Sequence, residues 1–70
     1  MKAIIIDDEK HCREVLEMLL HKYCNQVQVL QSFAGAKDAL LHLDQLQPDV
    51  IFLDIEMPEM NGFEFLESCN

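Results

Sequence analysis

Two short, unbroken apolar runs, each followed directly by aspartate, constrain the fold of this chain more than any other feature. Residues 3–6 and residues 50–53 are continuously apolar, and Asp7 and Asp54 follow them. Such runs are typical of strands buried on both faces of a parallel sheet, because a strand with one face in water alternates apolar and polar residues. We therefore predict two buried strands, and we expect the second to lie centrally in its sheet.

The segment after the first run has the pattern of an amphipathic helix. Acidic residues at positions 7–9 precede the pattern and His21 and Lys22 end it, which is the charge order that the helix dipole favours. We predict a helix that ends near Asn25. Its apolar residues recur at the spacing of one helical face, and they are Cys12, Val15, Leu16, Leu19, Leu20 and Tyr23.

The middle of the chain indicates a second strand and a second helix. Val27 and Val29 alternate with glutamines, which favours a strand, and residues 32–35 are predicted to form a loop. The second helix is predicted to end near Gln47, because the proline that follows cannot continue it. After the third strand we expect a loop and a third helix that begins at Phe63. The inner face of the second helix consists of Ala36, Ala39, Leu40 and Leu43.

This alternation of strands and helices predicts an α/β fold. The order strand, helix, strand, helix, strand, helix calls for parallel strands joined by right-handed crossovers, with helices on both faces of the sheet. For the strand order we adopt the doubly wound, flavodoxin-like pattern 2-1-3-4-5, of which this chain holds 2-1-3. One small core is the most that 70 residues can form.

Asp7, Asp8 and Asp54 are the residues best suited to chemistry. In the order 2-1-3 the first and third strands are neighbours about 4.8 Å apart, so these aspartates meet beyond the carboxyl ends, where open α/β sheets bind ligands. Three carboxylates repel one another, and a divalent cation relieves the repulsion. Mg2+ fits best, because it binds one or two carboxylates and leaves room for phosphate oxygens. Asp54 would then attack phosphorus as a nucleophile.

Simpler roles are available to each aspartate taken alone. Asp7 and Asp8 could cap the first helix, and Asp54 could end its strand by accepting hydrogen bonds from loop amides. The chemical role is favoured by the combination, because the acidic pair, the aspartate that closes a buried strand and the Met-Pro loop after it occur together.

Composition argues against several partners and locations. The net charge of -8, from 13 acidic and 5 basic residues, repels phosphate backbones and anionic lipid, so we expect no direct contact with nucleic acid or membrane. The three cysteines lack zinc-ligand spacing and indicate reduced thiols. No apolar stretch reaches the roughly 18 residues that a membrane helix requires. We therefore expect a cytoplasmic protein.

The stretches IIIDDE (residues 4–9) and IFLDIEMPEMNGFEF (residues 51–65), with their spacing, resemble the receiver domain of two-component response regulators. Asn61 stands where many receivers have aspartate, a change that does not touch the metal. The stretches DDEKHCREVLEMLL and MPEMNGFEF look most like receivers attached to LytTR-type DNA-binding domains.

The resemblance implies a role for each acidic position. Asp54 would accept a phosphoryl group from a sensor histidine kinase, with Mg2+ as cofactor. Asp8 would bind the metal directly, Asp7 largely through water, and Glu56 through its backbone carbonyl. Glu56 also occupies the family position that modulates the lifetime of the aspartyl phosphate. A domain of this kind is a phosphorylated regulator and not itself an enzyme.

By the same resemblance, residues 1–70 form a partial receiver. The family's switch Ser or Thr after strand four and its Lys after strand five have no counterpart here, so we expect impaired phosphorylation and readout. The third strand would lie at a sheet edge, and we expect a homodimer in which two such strands pair. Two other functions stay open. One is an inert interaction module of the same fold, and the other is an Asp-nucleophile phosphatase, which requires DxD where this chain has Asp54 and Glu56.

Overall fold

The chain folds around a three-stranded parallel sheet in the order β2-β1-β3. The computed structural model describes residues 1–54 together with Glu64 and Glu67, both of which are helical. The predicted α/β class, parallel pairing and 2-1-3 strand order are confirmed. The elements are β1 (Lys2–Ile6), α1 (Lys10–Tyr23), β2 (Gln28–Phe33), α2 (Ala36–Leu46) and β3 (Val50–Leu53).

β1 is the centre of the fold. The side chains of residues 3–6 are at most 1% exposed, because this strand has a neighbour on each side and helices lie over both faces of the sheet. Within the described residues β3 pairs with β1 on one side, and its four residues are half-buried. The sequence prediction of a buried first strand is therefore confirmed, whereas the third strand is less enclosed in the part of the chain that the structure describes.

The two faces of the sheet bury different sets of side chains. Ile4 and Ile6 point to the face covered by α2, where they pack with Phe33, Ala36 and Ala39. Because side chains alternate along a strand, the buried Ile5 points to the opposite face. There α1 contacts both β1 and β2, and its Leu20 is buried. Helices thus cover both faces, as predicted.

β2 is longer than the sequence pattern indicated. Residues 32–35 were predicted to form a loop, but Ser32 and Phe33 continue the strand and pair with Ile5 and Ile6. The reason is burial, because Phe33 is 2% exposed and contributes the largest buried side chain. Extending β2 through Phe33 satisfies the backbone of that residue inside the core.

α1 also differs from its prediction in two respects. Its first turn contains no acidic residue, because the helix begins at Lys10 and Glu9 is its N-cap. The predicted inner face is too wide, since Leu19 is 42% exposed and Tyr23 is 69% exposed. Cys12 is exposed as well. A helix that lies over β1 and β2 covers only a narrow stripe of its own surface, and here that stripe centres on Leu20.

The predictions for the end of the chain concern residues that are mostly not described. The loop with Met57, Pro58 and Gly62 and the start of the third helix at Phe63 lie outside the described residues, as does Glu56.

Candidate functional site

The carboxyl ends of β1 and β3 hold two of the predicted aspartates in place through backbone hydrogen bonds. The Asp7 N–H donates to the Phe33 carbonyl oxygen at 3.0 Å, and the Asp54 N–H donates to the Ile6 carbonyl oxygen at 2.9 Å. Both bonds continue the sheet one residue beyond its strands. The two aspartates therefore emerge side by side from a rigid edge, which positions functional groups better than a loop does.

The structure brings Asp7, Asp8 and Asp54 together. One carboxylate oxygen from each residue lies within 4.8 Å of the others. Asp7 and Asp54 are half-buried and Asp8 is exposed. Two charges at that separation repel each other by about 1 kcal/mol in bulk water, and by more as solvent is excluded. We call these three residues the acidic cluster, and its charges favour the binding of a cation.

The segment between β1 and α1 shows how Asp7 and Asp8 are used locally. The Glu9 N–H donates to Asp7 Oδ1 at 2.9 Å, so Asp7 closes a short turn just before the helix. Glu9 occupies the N-cap position of α1, and no side-chain hydrogen bond caps the helix there. Neither aspartate is thus the N-cap residue that the simpler interpretation required. Asp7 has a local structural role in addition to its place in the acidic cluster.

Arg13 is a site residue that the sequence analysis did not single out. Its Nη1 donates to the Asp7 carbonyl oxygen at 2.7 Å, and the contact is partly buried. A distance this short is typical of a hydrogen bond strengthened by charge. The acceptor is a backbone atom, so no pattern of side chains in the sequence points to it.

Cys12 also lies near the acidic cluster, although the helical pattern placed it on the inner face of α1. Partial loss of solvent raises the pKa of its thiol, and the negative charges of Asp7, Glu9, Asp54 and Asp8 raise that pKa further. A thiol of this kind stays protonated near neutral pH and is a poor nucleophile and a poor metal ligand. A hard divalent cation prefers the carboxylate oxygens of the acidic cluster to this sulfur.

The acidic cluster fits a hard divalent cation. The cluster offers three carboxylate oxygens. Mg2+ and Ca2+ prefer oxygen donors, whereas softer metals prefer sulfur or nitrogen. Opposite ligands of Mg2+ are about 4.2 Å apart, since each lies about 2.1 Å from the metal. The three aspartate oxygens lie within 4.8 Å of one another, which is close to that span, so these residues would be the ones to hold the ion. The Glu56 carbonyl, the fourth predicted ligand, lies outside the described residues.

Comparison with known proteins identifies the family to which this sequence is similar. The sequence matches the response regulator receiver domain family over residues 3–69. It is 42% identical to a response regulatory protein of Vibrio cholerae over 66 residues, which are 94% of this chain and 27% of that protein. It is 38% identical over 64 residues to the sensory transduction protein LytT of Bacillus cereus, covering 91% of this chain and 26% of LytT.

The fold comparison gives the same result. The response regulator domain of Thermotoga maritima CheB superposes with a TM-score of 0.86 at 31% sequence identity, over 97% of this chain and 50% of that one. Within the part of the chain that the structure describes, no helix is both long and apolar enough to span a bilayer.

The comparison covers only part of each relative. The chain spans about a quarter of the length of the curated relatives, so only their receiver portions are compared. The family match spans residues 3–69 of this chain, which include both apolar strands and the aspartates that follow them. This chain therefore belongs to the response regulator receiver domain family.

Proposed function

We propose that this chain is a phosphoryl-accepting switch in which Asp54 is the acceptor. The observation that carries the proposal is the acidic cluster, which joins Asp54 to Asp7 and Asp8 across 46 residues of sequence or more. Asp54 directly follows β3, which pairs with the buried β1, and the hydrogen bond from its N–H to the Ile6 carbonyl fixes the position of its backbone. A carboxylate can attack phosphorus as a nucleophile without a general base.

Mg2+ is the cofactor that this proposal requires. Asp8 would bind it directly, Asp7 through water, and Asp54 and the Glu56 carbonyl would complete the share of the protein. The bound ion supplies neutralisation of negative charge between the carboxylates and the incoming phosphoryl group. The exposure of Asp8 and the half-burial of Asp7 support this division, because the direct ligand must be reachable by a hydrated ion.

The phosphodonor is proposed to be a sensor histidine kinase. In this proposal the chain is the substrate of the kinase and acts as a regulator, and it is not itself an enzyme. Family membership favours this role over an Asp-nucleophile phosphatase. The similarity to LytT supports an output domain of LytTR type in the intact protein, but a protein-glutamate methylesterase of Agrobacterium fabrum is also 42% identical over 66 residues. Receiver portions are thus joined to different outputs, and the receiver sequence alone does not select one.

Two further proposals concern the 70-residue polypeptide by itself. We propose that it accepts phosphate more slowly than a receiver with five strands, because no Lys beyond β3 stabilises the phosphate oxygens. We also propose that it forms a homodimer in which two copies of β3 pair antiparallel about a two-fold axis. The support is the apolar sequence VIFL, half-buried at the edge of the described sheet. In the alternative, an inert interaction module, the dimer forms but Asp54 stays unmodified.

Intact-mass spectrometry after incubation with acetyl phosphate and Mg2+ tests the acceptor role. We expect one added phosphoryl group in the wild type and none in Asp54→Asn. Asp44→Asn, which removes an equal charge from an exposed position on α2, is the matched control and should label like the wild type. Labelling of Asp54→Asn at the wild-type rate would refute the assignment.

A further inference from the structure

Asp7 is held at three points, and Arg13 provides one of them. The Asp7 N–H donates to the Phe33 carbonyl, and Asp7 Oδ1 accepts from the Glu9 N–H. The Asp7 carbonyl oxygen accepts from the Arg13 guanidinium. The first bond belongs to the sheet and the second to the turn. The third connects the turn to the side of α1, about one helical turn after the helix begins.

The third bond acts on Asp8 as well as on Asp7. The Asp7 carbonyl belongs to the planar peptide group that joins the two residues. The orientation of that group therefore fixes the positions of the Asp8 N and Cα atoms. Asp8 itself is exposed. A hydrogen bond from Arg13 to that peptide group therefore limits rotation of the segment that carries two of the three carboxylates.

We propose that Arg13 is a positioning residue for the acidic cluster: it holds the Asp7–Asp8 peptide group in the orientation that lets both carboxylates share a divalent cation with Asp54. The inference rests on the proposed function, because it concerns the same metal site. It adds a residue that touches neither the ion nor the phosphoryl group. Groups that orient metal ligands in this way typically change metal affinity by about 10- to 100-fold when they are lost.

Charge and geometry predict opposite effects for removal of Arg13, which makes the inference testable. Taking away a positive charge beside three carboxylates should strengthen cation binding if charge alone matters. Loss of the hydrogen bond should weaken binding if the orientation of the peptide group matters. The direction of the change therefore separates the two effects.

The experiment measures Mg2+ affinity by isothermal titration for the wild type, Arg13→Met, Arg13→Lys and Lys10→Met. Arg13→Met keeps an apolar stem but loses the donor and the charge. Arg13→Lys keeps the charge and a donor. Lys10→Met removes the same charge from an exposed position in the first turn of α1 and serves as the charge control.

We expect Arg13→Met to bind Mg2+ about tenfold more weakly than the wild type. Lys10→Met should bind at least as tightly as the wild type, and Arg13→Lys should recover most of the lost affinity. An Arg13→Met variant that binds as tightly as Lys10→Met would overturn the inference. Urea unfolding without Mg2+ accompanies each titration, and the comparison is made among variants that remain folded at the titration temperature.

A second readout needs no metal. Hydrogen exchange of the Glu9 amide, which donates to Asp7 Oδ1, should accelerate in Arg13→Met and remain unchanged in Lys10→Met. Equal exchange in both variants contradicts the positioning role even where affinity changes.

Asp8→Asn separates this failure from failure of the proposed function. If Asp8→Asn binds Mg2+ like the wild type, the metal assignment is wrong and the inference falls with it. If Asp8→Asn alone loses affinity, only the role of Arg13 is refuted.

Discussion

Neutralising Asp54 should stabilise the fold in the absence of Mg2+. In the presence of Mg2+ the same change should give no gain in stability, or a loss. Asp54 lies within 4.8 Å of both Asp7 and Asp8, from which it is separated by 46 residues or more, so folding creates both repulsions. Each repulsion is worth about 0.9 kcal/mol at that distance in water. Salt with a Debye length of about 8 Å reduces the two together to about 1 kcal/mol. Asp54→Asn keeps the side-chain shape and removes both.

Binding of Mg2+ acts in the opposite direction. A ligand that binds only the folded state at about ten times its dissociation constant adds about 1.4 kcal/mol of stability. The wild type should receive that gain, and Asp54→Asn should receive little of it. We therefore expect the variant to be about 1 kcal/mol more stable than the wild type in EDTA and no more stable, or less stable, at saturating Mg2+.

Urea unfolding followed by circular dichroism measures both comparisons on the same samples. Asp44→Asn is the control for the general effect of charge, because the net charge of -8 makes any removed carboxylate slightly favourable. Asp44 lies near the end of α2, which runs away from the carboxyl ends of the strands, and it is exposed. If the two variants show the same stability difference in EDTA and in Mg2+, the aspartates do not act as one cation site.

Three other predictions follow from burial, from the sheet edge and from the thiol. Phe33→Ala, at 2% exposure, should cost about 3–5 kcal/mol of unfolding free energy, whereas Leu41→Ala, at 79% exposure, should stay within about 0.5 kcal/mol in the same urea assay; a small loss at Phe33 would contradict the described core. Sedimentation equilibrium at micromolar concentration should detect a dimer, and Ile51→Lys should dissociate it. Circular dichroism verifies that the variant is folded, because Ile51 also packs against the core. A folded wild-type monomer would refute the pairing. Alkylation of Cys12 by iodoacetamide at pH 8 should be slower than that of an ordinary cysteine, because partial loss of solvent and then neighbouring negative charge raise the pKa of its thiol. Mg2+ should accelerate the reaction, because the cation neutralises that charge. A rate insensitive to Mg2+, measured by peptide mass spectrometry, would show that the ion does not bind beside the thiol.

The sequence was sufficient to predict β1 and β3. Residues 3–6 and 50–53 are apolar without interruption, and such runs have few folded environments open to them. The cluster of Asp7, Asp8 and Asp54 then followed from the strand order, because adjacent parallel strands end at the same edge. That order came from a known fold pattern, since periodicity alone does not select which strands are neighbours.

Features that depend on long-range contacts were predicted less well. Ser32 and Phe33 look like the start of a loop in the sequence, but pairing with Ile5 and Ile6 makes them part of β2. The width of the buried face of α1 was overestimated for a related reason. A period of 3.6 residues identifies a helical face, but how much of it is covered depends on the neighbouring elements. Leu19 belongs to the predicted face and is 42% exposed.

The same distinction applies to the site. The side chains that carry charge are visible in the sequence, and their spacing relative to the strands indicates where they meet. The bonds that orient them use backbone atoms: the Asp7 N–H, the Glu9 N–H and the Asp7 carbonyl. Every residue but proline has these groups, so no residue type reveals which of them will be used. Arg13 became recognisable as a site residue only when the structure placed its guanidinium 2.7 Å from one such atom. The ability of the three aspartates to act together therefore depends on contacts that the folded backbone supplies, and substitutions at Arg13 test that dependence without altering any carboxylate.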